Sequence, residues 1–360
     1  MPDKTDKLLL SLLRQALWGT EDNCDGSGVE WNSAYDLASQ HGVLAVTWDA
    51  VTKLGLQTAM PLETKISWAY NTQQTEANFR RQVAVIEKLA RLYSRHGIDM
   101  TLLKGYGLSL YWPVPCHRPC GDVDIWLAGR YKEGDALVKT EWGVGINYSH
   151  HHHTVFIVDG VMVENHYDFV NVHAHGSSRT MERELRRMAA SGSERISVGD
   201  EYVCLPSPTM TVMFMLRHAA SHFAADRILL RHLIDWTVFI DRRADEIDWK
   251  EIGRVAAEVG MSRFMHCINA VSVHCLGLDE RKIPESTVEA GLVARVVADI
   301  MHPEFSETRP QDGFLRTIAF KLKRWRCNRW KQKLVYDENT LVAFVRSVWS
   351  HLLKPGSITG

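Results

Sequence analysis

Gly121-Asp122-Val123-Asp124-Ile125-Trp126-Leu127 sets two carboxylates two residues apart inside an otherwise apolar run. Side chains alternate along a β-strand, so a strand here sends Asp122 and Asp124 to one face and Val123, Ile125 and Leu127 to the other. The two backbones then lie about 7 Å apart. Convergent carboxylates at that spacing repel each other unless a cation lies between them, and hard divalent ions such as Mg2+ take oxygen ligands of this kind. Alone the pair is a weak signal, because 43 of the 360 residues are Asp or Glu. A solvated pair at a strand end is its plain alternative.

The flanking sequence adds weight. Thr154 to Val158 and Val161 to His166 are strand-like runs separated by Asp159-Gly160, a strong two-residue hairpin signal. With those two residues as the turn, Val158 pairs with Val161, Ile157 with Met162 and Phe156 with Val163. Val155 then pairs with Glu164, Thr154 with Asn165 and His153 with His166. Opposed residues share a face, so Glu164, His166 and His153 emerge together and Glu164 becomes a third available carboxylate. Asn165 faces the other way and belongs to packing. Upstream, Ile98 to Leu103 predicts a buried strand that stops at Lys104-Gly105, and Tyr106 to Trp112 predicts a helix ended by Pro113 and Pro115. Backbone N–H groups at such a turn, with Lys104 as a point charge, suit a phosphate. Three carboxylates, a metal and a phosphate-binding turn point to phosphoryl or nucleotidyl transfer.

These residues carry a resemblance. Leu103-Lys104-Gly105, Leu110-Tyr111, Arg118, Gly121-Asp122-Val123-Asp124-Ile125 and Val163-Glu164-Asn165-His166 resemble the uncharacterised nucleotidyltransferase family of the polymerase-beta-like nucleotidyltransferase superfamily. Leu216 to His222 and Leu230 to Trp236 resemble its helical segment, and the likeness spans roughly residues 30 to 300. It implies a Mg2+-dependent (or Mn2+-dependent) enzyme that moves a nucleoside monophosphate from an NTP to a hydroxyl acceptor and releases pyrophosphate. Asp122, Asp124 and Glu164 would be the catalytic metal ligands, with Glu164 alternatively the base. Lys104, Gly105, Arg118 and His166 would border the nucleotide's phosphates, although Arg118 could instead pair with Asp122. The wider superfamily carries Gly-Ser where this chain has Lys104-Gly105. That departure motivates the alternative of a catalytically weak or inactive binding or regulatory protein on the same fold.

Around this centre the expected architecture is α+β. A small mixed-sheet nucleotidyltransferase core at 98–205 is flanked by helical regions at 1–97 and 206–360. Leu8, Leu9, Leu12 and Leu13 form one helical stripe, Leu44, Trp48, Val51 and Leu54 another, and Gln73 to His96 a long helix capped by Gly97. Ser207 or Thr209 caps the first of a helical series, continued at about 248–259, 261–276, 286–302 and 313–334. A net charge of −1 excludes a global field for nucleic acid or acidic substrates. Seven scattered cysteines without zinc-site spacing fit reduced thiols in a cytoplasm. The Leu8–Leu13 run lacks a cleavage site, and nothing approaches the roughly 18 apolar residues of a membrane span.

Three further motifs compete with plain readings. Strand alternation splits the run His150 to His153 across two faces, which disfavours ligation by all four rings, although His153, His166, His218 and His222 sustain a weaker metallohydrolase reading. Arg227, Arg231 and Asp235 read as a surface ion-pair ladder. Lys321 to Lys333, basic with interleaved tryptophans, could contact nucleic acid or an anionic surface; a solvated helix face with docked tryptophans is the favoured reading.

Overall fold

The computed structural model describes residues 3–336 apart from 21–23, 25, 174, 286, 308–309 and 311–313. Four helices come first: α1 (Lys4–Trp18), α2 (Trp31–Gln40), α3 (Leu44–Lys53) and α4 (Leu62–Arg95). The central part runs β1 (Thr101–Leu102), α5 (Tyr106–Ser109), β2 (Asp122–Trp126), α6 (Tyr131–Trp142), β3 (His153–Val158), β4 (Val161–His166), α7 (Ser178–Ala190), β5 (Ser193–Val198) and β6 (Glu201–Pro206). Helices then take over as α8 (Pro208–Ala225), α9 (Leu230–Arg243), α10 (Trp249–Glu258), α11 (Ser262–Leu276), α12 (Ala290–Met301) and α13 (Phe314–Tyr336). The α+β expectation holds: helices surround one mixed six-stranded sheet. No helix among the described residues is long and apolar enough to cross a membrane, and Cys116, Cys120, Cys204, Cys267, Cys275 and Cys327 are free thiols.

Local chemistry explains the boundaries. Asp3 caps α1 by accepting from the Asp6 N–H, while its own N–H donates to the Asp6 carboxylate. Gly19 ends α1 in the left-handed conformation at φ 69°. Ser207 Oγ accepts from Met210 N–H, and Pro208 occupies the first turn of α8, where its missing N–H costs nothing. Helix α4 is longer than expected, beginning directly after Pro61.

The sheet order is β3-β4-β2-β1-β6-β5. β2 lies centrally, parallel to β4 and antiparallel to β1, with an antiparallel hairpin at each edge. The β3–β4 register matches the expected pairing at all six positions, from Val158 opposite Val161 to His153 opposite His166. The anticipated strand 98–103 is buried apart from Asp99 but is strand only at Thr101 and Leu102, with Met100 and Leu103 adding single backbone bonds to Cys204 and Asp124, and the anticipated helix 106–112 is a single turn. Two apolar cores result. Val123, Ile125, Leu127, Phe156 and Val163 pack beneath the sheet with Ile86 and Leu89 of α4 and Val138 of α6. A larger core joins Leu9 and Leu12 of α1 to Phe223 of α8, Trp236 of α9 and Phe264 of α11.

Candidate active site

The central strand pair builds the floor. Parallel pairing sets Asp124 directly opposite Glu164 and Trp126 opposite His166, while β3 adds His153 opposite His166. The carboxylate face therefore carries Asp122, Asp124, Glu164, His166 and His153, and the apolar face of β2 is spent on the core. Asn165, on that inner face, is buried and donates to Asp135 (2.8 Å) and to the Tyr131 carbonyl (3.1 Å), a packing role as its register implies.

Asp124 is the hub. Its side chain has no exposed surface; Oδ1 lies 3.1 Å from Lys104 Nζ and 3.0 Å from His166 Nε2. Its Oδ2 is buried without a hydrogen-bond partner. Burial opposes charge on each of these groups, and their mutual attraction overrides it. Burial would raise the Asp124 carboxyl, yet Lys104 and His166 hold it well below the usual carboxylate range. Burial would lower His166, but its bonds to Asp124 and Glu164 raise it to about 9. Burial likewise works against Lys104, and Asp124, Asp122 and Glu164 keep it raised. At the open edge burial wins: the Asp122 carboxyl is pushed up by desolvation and by neighbouring Asp124. Asp124, Glu164 and His166 bring ligand atoms within 4.8 Å of one another.

The turn after β1 delivers Lys104. Gly105 adopts φ 63°, ψ −110°, a conformation essentially reserved for glycine. A Cβ there would also stand 3.6 Å from the Asp122 carbonyl. Because α5 is one turn long, it supplies little dipole; attraction for an anion at this turn rests on Lys104 and on backbone N–H groups.

A cavity of about 430 Å³ opens above, with Lys104, Gly105, Gly121 and Asp122 on the sheet side and His218, His222, Arg231 and His232 on the helical side. That volume lies in the range of small-molecule sites. Two expectations change here. Arg118 does not pair with Asp122; its Nε and Nη2 donate to the two oxygens of Asp235 at 2.7 and 2.8 Å, and Nη1 lies 2.9 Å from Cys120 Sγ. The surface ladder is also overturned: Asp235 is 4% exposed, and Arg231 turns to the Pro119 carbonyl at 3.2 Å, because this face of α9 looks into the protein. His218 and His222 are joined by His232 from α9, with ring centroids 4.5 to 5.6 Å apart. Burial first, then Lys104 and Arg231 among their cationic neighbours, keeps His218 and His232 far below the usual imidazole range.

The sequence did not single out Asp235 as the partner of Arg118, nor His232 as a third ring; both contacts are long-range or depend on helix packing. The reading of the histidine run changes for a local reason. Residues 150–152 form a bend before β3 rather than strand, so alternation does not separate the rings. His152 and His153 lie 4.4 Å apart, and 5.5 and 5.1 Å from His166. The basic 321–333 segment lies in α13. There Lys331 is buried 2.6 Å from Asp299, and Trp330 packs edge-on to Phe223 beneath Arg295, so these residues dock on the body.

No curated protein and no solved structure matches the chain significantly. The model of the uncharacterised nucleotidyltransferase family matches residues 27–277, from just before α2 to the end of α11 and including the whole sheet. That span covers most of the chain, and the protein belongs to this family of nucleotidyltransferases.

Proposed function

We propose that the protein transfers a nucleoside monophosphate from an NTP to a hydroxyl-bearing acceptor, releasing pyrophosphate, with a divalent ion, Mg2+ or Mn2+, held by Asp122, Asp124 and Glu164. One observation carries this reading: β2 and β4 pair in parallel so that Asp122, Asp124 and Glu164 share one face of the sheet, and Asp122 lines a cavity together with Lys104 and Gly105. The donor set fits a hard cation. It is oxygen-rich, and Asp124 Oδ2 is a buried acceptor with no partner.

The residues divide the work. Lys104, 3.1 Å from Asp124, and the Gly105 backbone receive the triphosphate, with the Nη1 edge of Arg118 bordering it beside Cys120. His166 fixes the Asp124 carboxylate through its 3.0 Å bond and stands at the phosphate edge. Glu164, its side chain 17% exposed, is the third ligand or, alternatively, the base that takes the proton of the acceptor hydroxyl. The acceptor oxygen forms its bond to the α-phosphorus as the bond to the bridging oxygen breaks, and the electron pair leaves with pyrophosphate. A bound divalent ion supplies neutralisation of phosphate charge and a template for in-line displacement.

Calorimetric titration of each NTP, with and without Mg2+, tests the reading on the wild type and on Asp122→Asn and Asp122→Ala/Asp124→Ala. Mg2+-dependent binding that drops at least tenfold in the variants, with folded protein confirmed by circular dichroism, is expected. Absence of binding at millimolar nucleotide, or unchanged binding in the variants, refutes it.

A further inference from the structure

Beside the carboxylates lie two imidazoles, His152 and His153, that the transfer reading does not use. His153 is 6% exposed, and neither of its ring nitrogens has a hydrogen-bond partner; His152 Nδ1 is also buried and unpartnered. Each buried polar atom left unsatisfied costs about 1–3 kcal/mol, so three such nitrogens in one place need an explanation. The loop is held in place, because Tyr167 and Asp168 N–H groups donate to the His152 carbonyl at 3.0 and 3.1 Å. The backbone of the bend is therefore fixed beside the end of β4.

The spacing itself is informative. Glu164 Oε2 lies 3.7 Å from His153 Nδ1 and 3.5 Å from His166 Nε2. Both separations are long for hydrogen bonds. Tetrahedral coordination with bonds of about 2.0–2.1 Å puts neighbouring ligand atoms about 3.3–3.4 Å apart, close to what is seen. His152, His153 and His166 each offer a nitrogen within 4.8 Å of the other two, which supplies the remaining ligand.

We infer that His152, His153 and His166, together with Glu164, form a four-ligand site for a divalent transition-metal ion of the Zn2+ class. Three imidazoles and one carboxylate suit Zn2+ or Co2+ and disfavour Mg2+, which demands oxygen ligands and octahedral geometry. Occupation exchanges the His166 hydrogen bond to Asp124 for a metal bond and releases the ring proton to solvent, so this site and the carboxylate site share His166 and Glu164 while differing in the ion they select.

The test uses the full chain stripped of metal. Equilibrium dialysis against Zn2+ in millimolar Mg2+ is expected to leave one Zn2+ per chain, and Co2+ is expected to give the intense visible absorption of a four-coordinate ion. His153→Ala should weaken Zn2+ by more than about tenfold and remove the cobalt band. His152→Ala, at a half-buried bend, is the second variant should the first unfold, and thermal melts should show a Zn2+-induced rise for the wild type alone. Absence of retained Zn2+, its displacement by Mg2+, or stoichiometric Zn2+ that survives both substitutions (for example at Glu76, Cys116 and His117) overturns the inference. Nucleotide titration of the same variants is a separate readout, so loss of one activity does not imply loss of the other.

Discussion

Replacing Arg118 by Met should destabilise the protein far more than a surface substitution. Arg118 is 6% and Asp235 4% exposed, and two guanidinium nitrogens hold both carboxylate oxygens at 2.7 and 2.8 Å. The same Asp235 Oδ1 accepts from Trp112 Nε1 at 2.8 Å. Removing one member of such a pair strands a buried charge and costs about 3–5 kcal/mol, roughly a fifth or more of a typical domain's stability. Asp235→Leu should cost at least as much, since Trp112 also loses its acceptor. Arg118→Met/Asp235→Leu removes both charges and fills the space with apolar atoms, so its cost should fall well short of the sum. A coupling of roughly 2–3 kcal/mol is expected. Urea unfolding followed by circular dichroism on the four proteins measures it. Additive losses, or a loss below about 1 kcal/mol for Arg118→Met, would refute the claim that this pair ties the segment before β2 to α9. Parallel NTP titration of whichever variants stay folded separates that tie from contact with phosphate.

Two other perturbations probe the turn and the acid limb of stability. Gly105→Ala forces an L side chain into φ 63°, ψ −110° and should cost about 1–3 kcal/mol while weakening nucleotide binding through Lys104; wild-type stability and affinity would count against the turn's role. His41 is fully buried and accepts from Leu230 N–H through Nδ1 at 3.3 Å, and burial followed by nearby Arg227 lowers it to about 4. The unfolded chain binds a proton near the ordinary 6.5, so this contribution is intact above pH 6.5 and is lost as pH falls toward 4, by about 3 kcal/mol in all. In His41→Asn, which keeps an acceptor toward Leu230, urea melts across that window should show a shallower loss than in the wild type; an identical slope would contradict the assignment.

What could be read from the chain was local. The β3–β4 pairing followed from one dipeptide: Asp159 at φ 49° and Gly160 at φ 79° make the tight turn that locks every pair behind it. The face shared by Asp122 and Asp124 followed from alternation alone. The β5–β6 hairpin was missed although its turn, Gly199-Asp200, is itself a two-residue hairpin signal, because Ser193-Glu194-Arg195-Ile196-Ser197-Val198 is a largely solvent-facing edge strand without an apolar run. Helices α6 and α7 were likewise not anticipated. Arg118 and Asp235 lie 117 residues apart, so nothing near either reports the other. At His150 to His152 the reasoning failed because strand periodicity was extended across a bend.

The charge balance at Asp124 bears on how the proposed site would load. Lys104 and His166 already neutralise Oδ1, while burial and neighbouring Asp124 push the Asp122 carboxyl up. A triphosphate that drew Lys104 away on its own would leave Asp124 with His166 alone, and a divalent ion binding on its own would crowd Lys104 with a second cation. Either partial state upsets the balance of buried charge, which is costly for groups this deeply placed. Together they exchange partners: phosphate takes the lysine and the carboxylates take the ion. Under the transfer reading, nucleotide and metal should therefore bind with strong mutual reinforcement, and the titration with and without Mg2+ measures that coupling directly. Under the same reading a Lys-Gly turn is a coherent substitute for a neutral one, because the Lys104 charge, held up by Asp124, Asp122 and Glu164, would offset the carboxylates' mutual repulsion before substrate binds.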